Sequence, residues 1–98
     1  GRHFGEVEQN LKKSEEYLQQ ALQLRPNDYE SLRLMGINQG IQNNNRAAIR
    51  YFKKALNVNK GETPADIVKN LGIAYAGLGM QDSSQYYLQI ASQLEGQK

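Results

Sequence analysis

Tyr17-Leu18-x-x-Ala21, Tyr51-Phe52-x-x-Ala55 and Tyr87-Leu88-x-x-Ala91 state one pattern three times, at intervals of 34 and then 36 residues in a chain of 98. A period of that length marks a repeat array, in which one supersecondary unit stacks on copies of itself because no unit can bury its apolar face alone. Small residues recur around the pattern. Ser14, Ala48 and Ser84 stand seven residues before the three alanines, on the same helix face, and Gly36 and Gly72 stand 19 residues before the second and third alanine. Glycine or alanine at such places lets two helix backbones approach within roughly 8–10 Å, with large Leu32, Met35, Phe52 and Leu56 filling the space beside them.

Working outward, the chain divides into five helices and no strand. From about Glu6 to Leu24, Leu11, Ser14, Leu18, Ala21 and Leu22 recur at three- and four-residue steps between charged and amide side chains, the pattern of an amphipathic helix. It stops before Pro26. Asn27, with Glu30 three residues on, reads as a capping-box start for a second helix from Asp28 to about Gln42. Asn43, Asn44 and Asn45 form a polar turn, since asparagine tolerates left-handed geometry and caps helices. A third helix runs from about Arg46 to Val58. Thr63 before Pro64 is a cap followed by a first helical residue, and Asp66 suits the first turn of the fourth helix, which ends near Gly77 or Gly79. The fifth runs from about Gln81 to Leu94, leaving residues 95–98 as a polar tail.

Laid over each other, residues 29–58 and 65–94 agree in residue class more than in identity, which survives at Gly36/Gly72, Ile37/Ile73, Tyr51/Tyr87 and Ala55/Ala91. On these residues the chain resembles the tetratricopeptide repeat family: Leu32…Met35-Gly36…Ala48…Phe52…Ala55-Leu56, then Val68…Leu71-Gly72…Tyr75…Gly79…Ser84…Leu88…Ala91. The match covers nearly everything from Glu8 onward. It departs from the family at Gln39, where an aromatic is usual, and at Lys60, where proline is usual, and the two extra residues fall in the loop Asn59–Glu62. The resemblance implies one domain over 1–98. It holds the second helix of a first unit (6–24), a complete second unit (28–58) and a complete third (64–94), stacked as a short right-handed superhelical solenoid. The first helix of the first unit is absent or reduced to residues 1–5. That half unit, and a start at Gly1 without methionine, predict a piece of a longer protein.

In the resembled family the first helices of successive units line a concave groove that receives a peptide, which implies a protein-interaction module here. The corresponding positions are Glu30, Arg33, Ile37, Gly40 and Ile41 on one helix, and Asp66, Lys69, Asn70, Ile73, Ala76 and Gly77 on the other. They suggest a charged rim, two isoleucines in the middle and a shallow, glycine-lined end. The plain alternative is that Glu30–Arg33 and Asp66–Lys69 are three-residue-spaced surface pairs and the isoleucines pack on neighbouring helices, as in a structural spacer or oligomerisation segment. Some members of the family hold a chaperone's terminal carboxylates with lysine, asparagine and arginine. Lys69 and Asn70 fall at suitable places, yet Ile37 and Ile73 stand where asparagine is needed, so that clamp is incomplete.

Other chemistry finds little purchase. The single histidine, His3, lies near the terminus, and the carboxylates are scattered singly, so no general acid–base pair can be argued and no enzymatic activity is expected of this segment. Gly72 to Gly79 lacks the lysine and hydroxyl of a phosphate loop and sits in a helical pattern. No metal-ligand spacing occurs, and no cofactor is expected. The absence of cysteine rules out disulfides and leaves the compartment undetermined. A net charge of +2 predicts no nucleic acid partner, and no apolar run approaches the ~20 residues that cross a bilayer. Arg46, Arg50, Lys53 and Lys54 stripe the third helix without interleaved exposed aromatics and read as a solvated face. Tyr86 should lie nearer the surface than Tyr87. The first unit's helix, deprived of its partner, leaves Phe4, Leu11 and Leu18 short of packing surface, so either upstream residues cover it or two copies associate through it.

Overall fold

Asp28 opens the first complete hairpin. Its extended backbone lets a carboxylate oxygen accept from the Ser31 amide at 3.0 Å and the Ser31 hydroxyl at 2.6 Å, and these donors hold the Asp28 carboxyl below its ordinary pKa. The cap is therefore Asp28 rather than Asn27, and Glu30 is free for other partners. The computed structural model describes residues 2–59, 61 and 63–96, with the side chains of residues 2–6 left out. Within that range the chain is α-helical without strands: α1 (Arg2–Leu24), α2 (Tyr29–Ile41), α3 (Asn45–Val58), α4 (Ala65–Gly77) and α5 (Gln81–Gly96).

Two differences from the sequence reading concern helix starts. Pro64 takes the cap position and α4 begins at Ala65, because proline's extended backbone supplies the Pro64 carbonyl to the Val68 amide at 3.2 Å. Residues 2–5 form no separate helix; they continue α1, which reaches 23 residues. Helix α5 runs on to Gly96, past the expected end at Leu94. The side chains of His3 and Phe4 lie outside the described residues, as do Lys60 and Glu62 of the expected loop and Gln97 and Lys98 of the tail.

The two hairpins α2–α3 and α4–α5 are built alike, 36 residues apart. Helices α2 and α4 are displaced by 36 residues at both ends. Two residues past the last of each comes a residue with positive φ, Asn43 at 65° and Gly79 at 78°. At each turn the next amide reaches back five residues, from Asn44 to the Gln39 carbonyl at 2.8 Å and from Met80 to the Tyr75 carbonyl at 3.0 Å. This is the Schellman arrangement, which satisfies the last carbonyls of a helix and needs a left-handed residue. Asparagine and glycine fill it by different means, the first by tolerating the geometry and the second by lacking Cβ.

Inside each hairpin the glycine meets the large residue 16 positions on. A Cβ built on Gly36 would stand 2.6 Å from the Phe52 ring, and one on Gly72 would stand 2.7 Å from Cγ of Leu88. The close approach seals a core of Leu32, Ala48, Ile49, Phe52, Ala55, Ile67, Leu71, Ala74 and Tyr75. The largest fully buried side chains among the described residues are Leu32, Met35, Ile67 and Leu71, each contributing roughly 1.5–3 kcal/mol by burial. Of the three small residues expected on one face, Ala48 and Ser84 are buried while Ser14 is exposed, because no helix covers α1 there.

Helix α1 joins the rest through Leu22, packed against the core, and through amides. Asn38 and Gln39 of α2 are buried; Asn38 Nδ2 donates to the Leu11 carbonyl at 2.9 Å and Gln39 Nε2 to the Glu15 carboxylate at 2.8 Å. Gln42 Nε2 donates to the same carboxylate at 2.9 Å and to Asn38 Oδ1 at 2.6 Å, and Asn44 Nδ2 to Gln39 Oε1 at 3.1 Å. Among the described residues no buried side-chain nitrogen or oxygen lacks a partner.

Gly36→Ala should lower the unfolding free energy by about 1–2 kcal/mol, since overpacking against a buried ring outweighs alanine's better helix propensity. Gly40→Ala, whose Cβ would meet only Ala48 at 4.0 Å, should raise it by up to about 1 kcal/mol. Urea titrations followed by circular dichroism check both; equal effects of one sign would contradict the close approach.

Candidate functional site

Helices α2 and α4 lie side by side, and Arg33 ties them together. Its guanidinium stands 3.7 Å from Glu30 one turn back on α2 and 3.6 Å from Asp66 on α4. The surface pair expected between Asp66 and Lys69 is thus replaced by a cross-helix one, because Arg33 reaches the neighbouring helix from its own. Tyr29, half-buried beside this cluster, has its phenol pKa pushed up, mainly by burial and further by the Asp66 carboxylate.

Below the charged end, a cleft of about 260 Å³ opens between the two helices, walled by Ile37, Ile41, Asn70 and Ile73. Its floor is Gly36, Gly40, Ala48 and Phe52, so the glycine contact that closes the hairpin also keeps the cleft deep. Ile41 and Ile73 are 58% and 54% exposed, so the cleft walls present apolar surface to solvent. Asn45, at the start of α3, lines the same cleft, and its side-chain amide lies so close to Gly77 that a Cβ there would overlap it. The structure therefore gathers Ile37, Ile41, Asn70 and Ile73 at one cleft and Glu30, Arg33 and Asp66 at one ion-pair cluster. Lys69 is exposed and belongs to neither; Ala76 and Gly77 are likewise exposed outside the cleft lining.

Sequence reasoning missed the continuation of this surface. Ile41 also borders a second cavity of about 470 Å³ lined by Val7, Leu11, Lys12, Gln42 and Asn43, between α1 and the end of α2. Leu11 stood on the apolar stripe of α1 and was the available signal. Its placement next to Ile41 depends on the amide network that docks α1, which periodicity does not report.

No protein-family model matches this chain, and no curated protein matches it. Among the described residues no group of three His, Cys, Asp or Glu side chains could hold a metal ion, and no helix is long and apolar enough to cross a membrane.

Because Arg33 bridges two helices, Arg33→Glu sets a third carboxylate beside Glu30 and Asp66 and should cost on the order of 1 kcal/mol of stability. Lys69→Glu should change it by less than about 0.5 kcal/mol. Thermal unfolding of the two variants measures the difference; equal losses would mean that Arg33 holds nothing together.

Proposed function

We propose that the chain is a protein-interaction module of the tetratricopeptide type, and that its α2/α4 face receives a peptide of a partner protein. The observation that carries the reading is the cleft in which exposed Ile41 and Ile73 flank glycine-floored space, with Asn45 and Asn70 beside them. Apolar walls with a few polar groups suit a peptide segment, the isoleucines taking an apolar side chain and the amides pairing with main-chain groups. The stacked superhelical arrangement is part of the same proposal. It is supported by neighbour relations: α2 touches α4, whereas α3 and α5 make no such approach, as expected when first helices line the inside of a curve.

A spacer or oligomerisation segment is the second reading. Its support is α1, where Tyr17 is 74% exposed and Leu24 85% exposed, while Tyr51 and Tyr87 at the repeat-equivalent positions are half-buried.

Selection of a random-peptide phage library against the protein separates the two. The interaction reading expects enriched peptides that shift the amide resonances of Ile37, Asn70 and Ile73 and lose binding to the Ile73→Glu protein, whose stability should stay within about 0.5 kcal/mol. The spacer reading expects no enrichment, together with a concentration-dependent dimer in sedimentation velocity that Tyr17→Glu abolishes.

A further inference from the structure

Helix α3 carries Arg46, Arg50, Lys53 and Lys54 and no carboxylate, and all four cations are exposed. The ion pairs found among the described residues involve Arg33 alone, with Glu30 and Asp66. Arg46, Arg50 and Lys54 follow at four-residue steps, so the cations recur about every 6 Å along the helix. The row points away from Ala48 and Phe52, which face the α2/α4 cleft, so it forms a separate surface.

Two features border this row. At one side Lys54 joins a cleft of about 340 Å³ between the end of α1 and α3, with Leu22, Pro26 and Leu32 as its apolar part and Gln19, Gln23 and Tyr51 as its polar rim. That lining contains no carboxylate. At the other side Lys53 reaches over the Tyr75 ring, 5.5 Å from its centroid; Tyr75 stacks on Tyr87 at 5.4 Å, and exposed Tyr86 stands edge-on to Tyr87 at 5.2 Å. Exposed aromatic surface does therefore adjoin the stripe, though the tyrosines come from α4 and α5 and the sequence of α3 could not reveal them.

We infer that this face binds an extended acidic polypeptide segment, its carboxylates on the Arg46–Arg50–Lys54 row and an apolar side chain in the Leu22–Leu32 cleft. The match is one of charge and of spacing. Side chains on one face of an extended chain recur about every 6.6 Å, close to the cation repeat. Unpaired arginine favours carboxylate through a two-pronged contact. A polynucleotide would use the same cations, but so few of them release few counterions, and it has no aliphatic group for the apolar part of the cleft.

The test is fluorescence anisotropy with three dye-labelled probes: a peptide alternating glutamate and leucine, the same peptide with glutamine for glutamate, and oligouridylate. The acidic peptide should bind saturably and more weakly as salt rises. It should lose about tenfold or more in affinity on the double substitution Arg50→Glu and Lys54→Glu. Ile73→Glu should leave it unaffected, so the outcome is independent of the α2/α4 reading. Circular dichroism verifies folding, and the milder pair Arg50→Gln and Lys54→Gln replaces the reversal if that unfolds. Equal binding of the glutamine peptide, indifference to both double substitutions, or tighter binding of oligouridylate than of the acidic peptide would overturn the inference.

Discussion

At Gly36 and Gly72 the backbone of each hairpin's first helix lies bare against the second helix, with Phe52 and Leu88 seated where any side chain would collide. This contact governs the distance between α2 and α3 and between α4 and α5, and hence the depth at which Ala48, Ala55 and Ala91 are buried. At Gly36, against the buried Phe52 ring, packing at native density tolerates no added methyl, whereas Leu88 opposite Gly72 is exposed. The same close approach seats the Phe52 ring beside Gly36, Gly40 and Ala48 in the floor of the α2/α4 cleft. One steric constraint, applied twice, shapes both the core and the α2/α4 cleft.

The junction between α1 and α2 obeys different chemistry. Where the second hairpin places Tyr75, stacked on Tyr87, the first places Gln39, bonded to Glu15 of α1. Ala74 likewise has Asn38 as its counterpart, donating to the Leu11 carbonyl. Buried amides stabilise less per unit area than an apolar seam, yet they fix register, because each donor left unpaired carries a desolvation cost of about 1–3 kcal/mol. Helix α1 is accordingly held in a defined position while its outer residues Tyr17 and Leu24 stay exposed.

Much of the fold was legible in the chain. The five helices follow from apolar periodicity, and the pairing of hairpins from the 36-residue offset between Gly36 and Gly72. Helix starts were less legible: Asn27 and Asp28 are both good caps, and only the reach of Asp28 to Ser31 decides between them. Of the site, the isoleucines and Asn70 were reached through the family resemblance, whose groove positions they match at three- and four-residue steps. The role of Arg33 was missed because an i,i+3 pair with Glu30 is visible in sequence while the contact with Asp66 crosses two helices. The aromatic border of the basic row escaped for the same reason, since Lys53 and Tyr75 meet only through packing.

The molecule thus has two unlike faces, an apolar cleft between α2 and α4 and a cationic row on α3, and the cleft depends on the close glycine contacts that the two hairpins share. Nuclear Overhauser contacts in solution measure these glycine approaches directly. The account predicts contacts from Gly36 Hα to the Phe52 ring, with Gly36 Hα displaced by the ring current, and from Gly72 Hα to the Leu88 methyl groups. Absence of either set in the folded protein would contradict it.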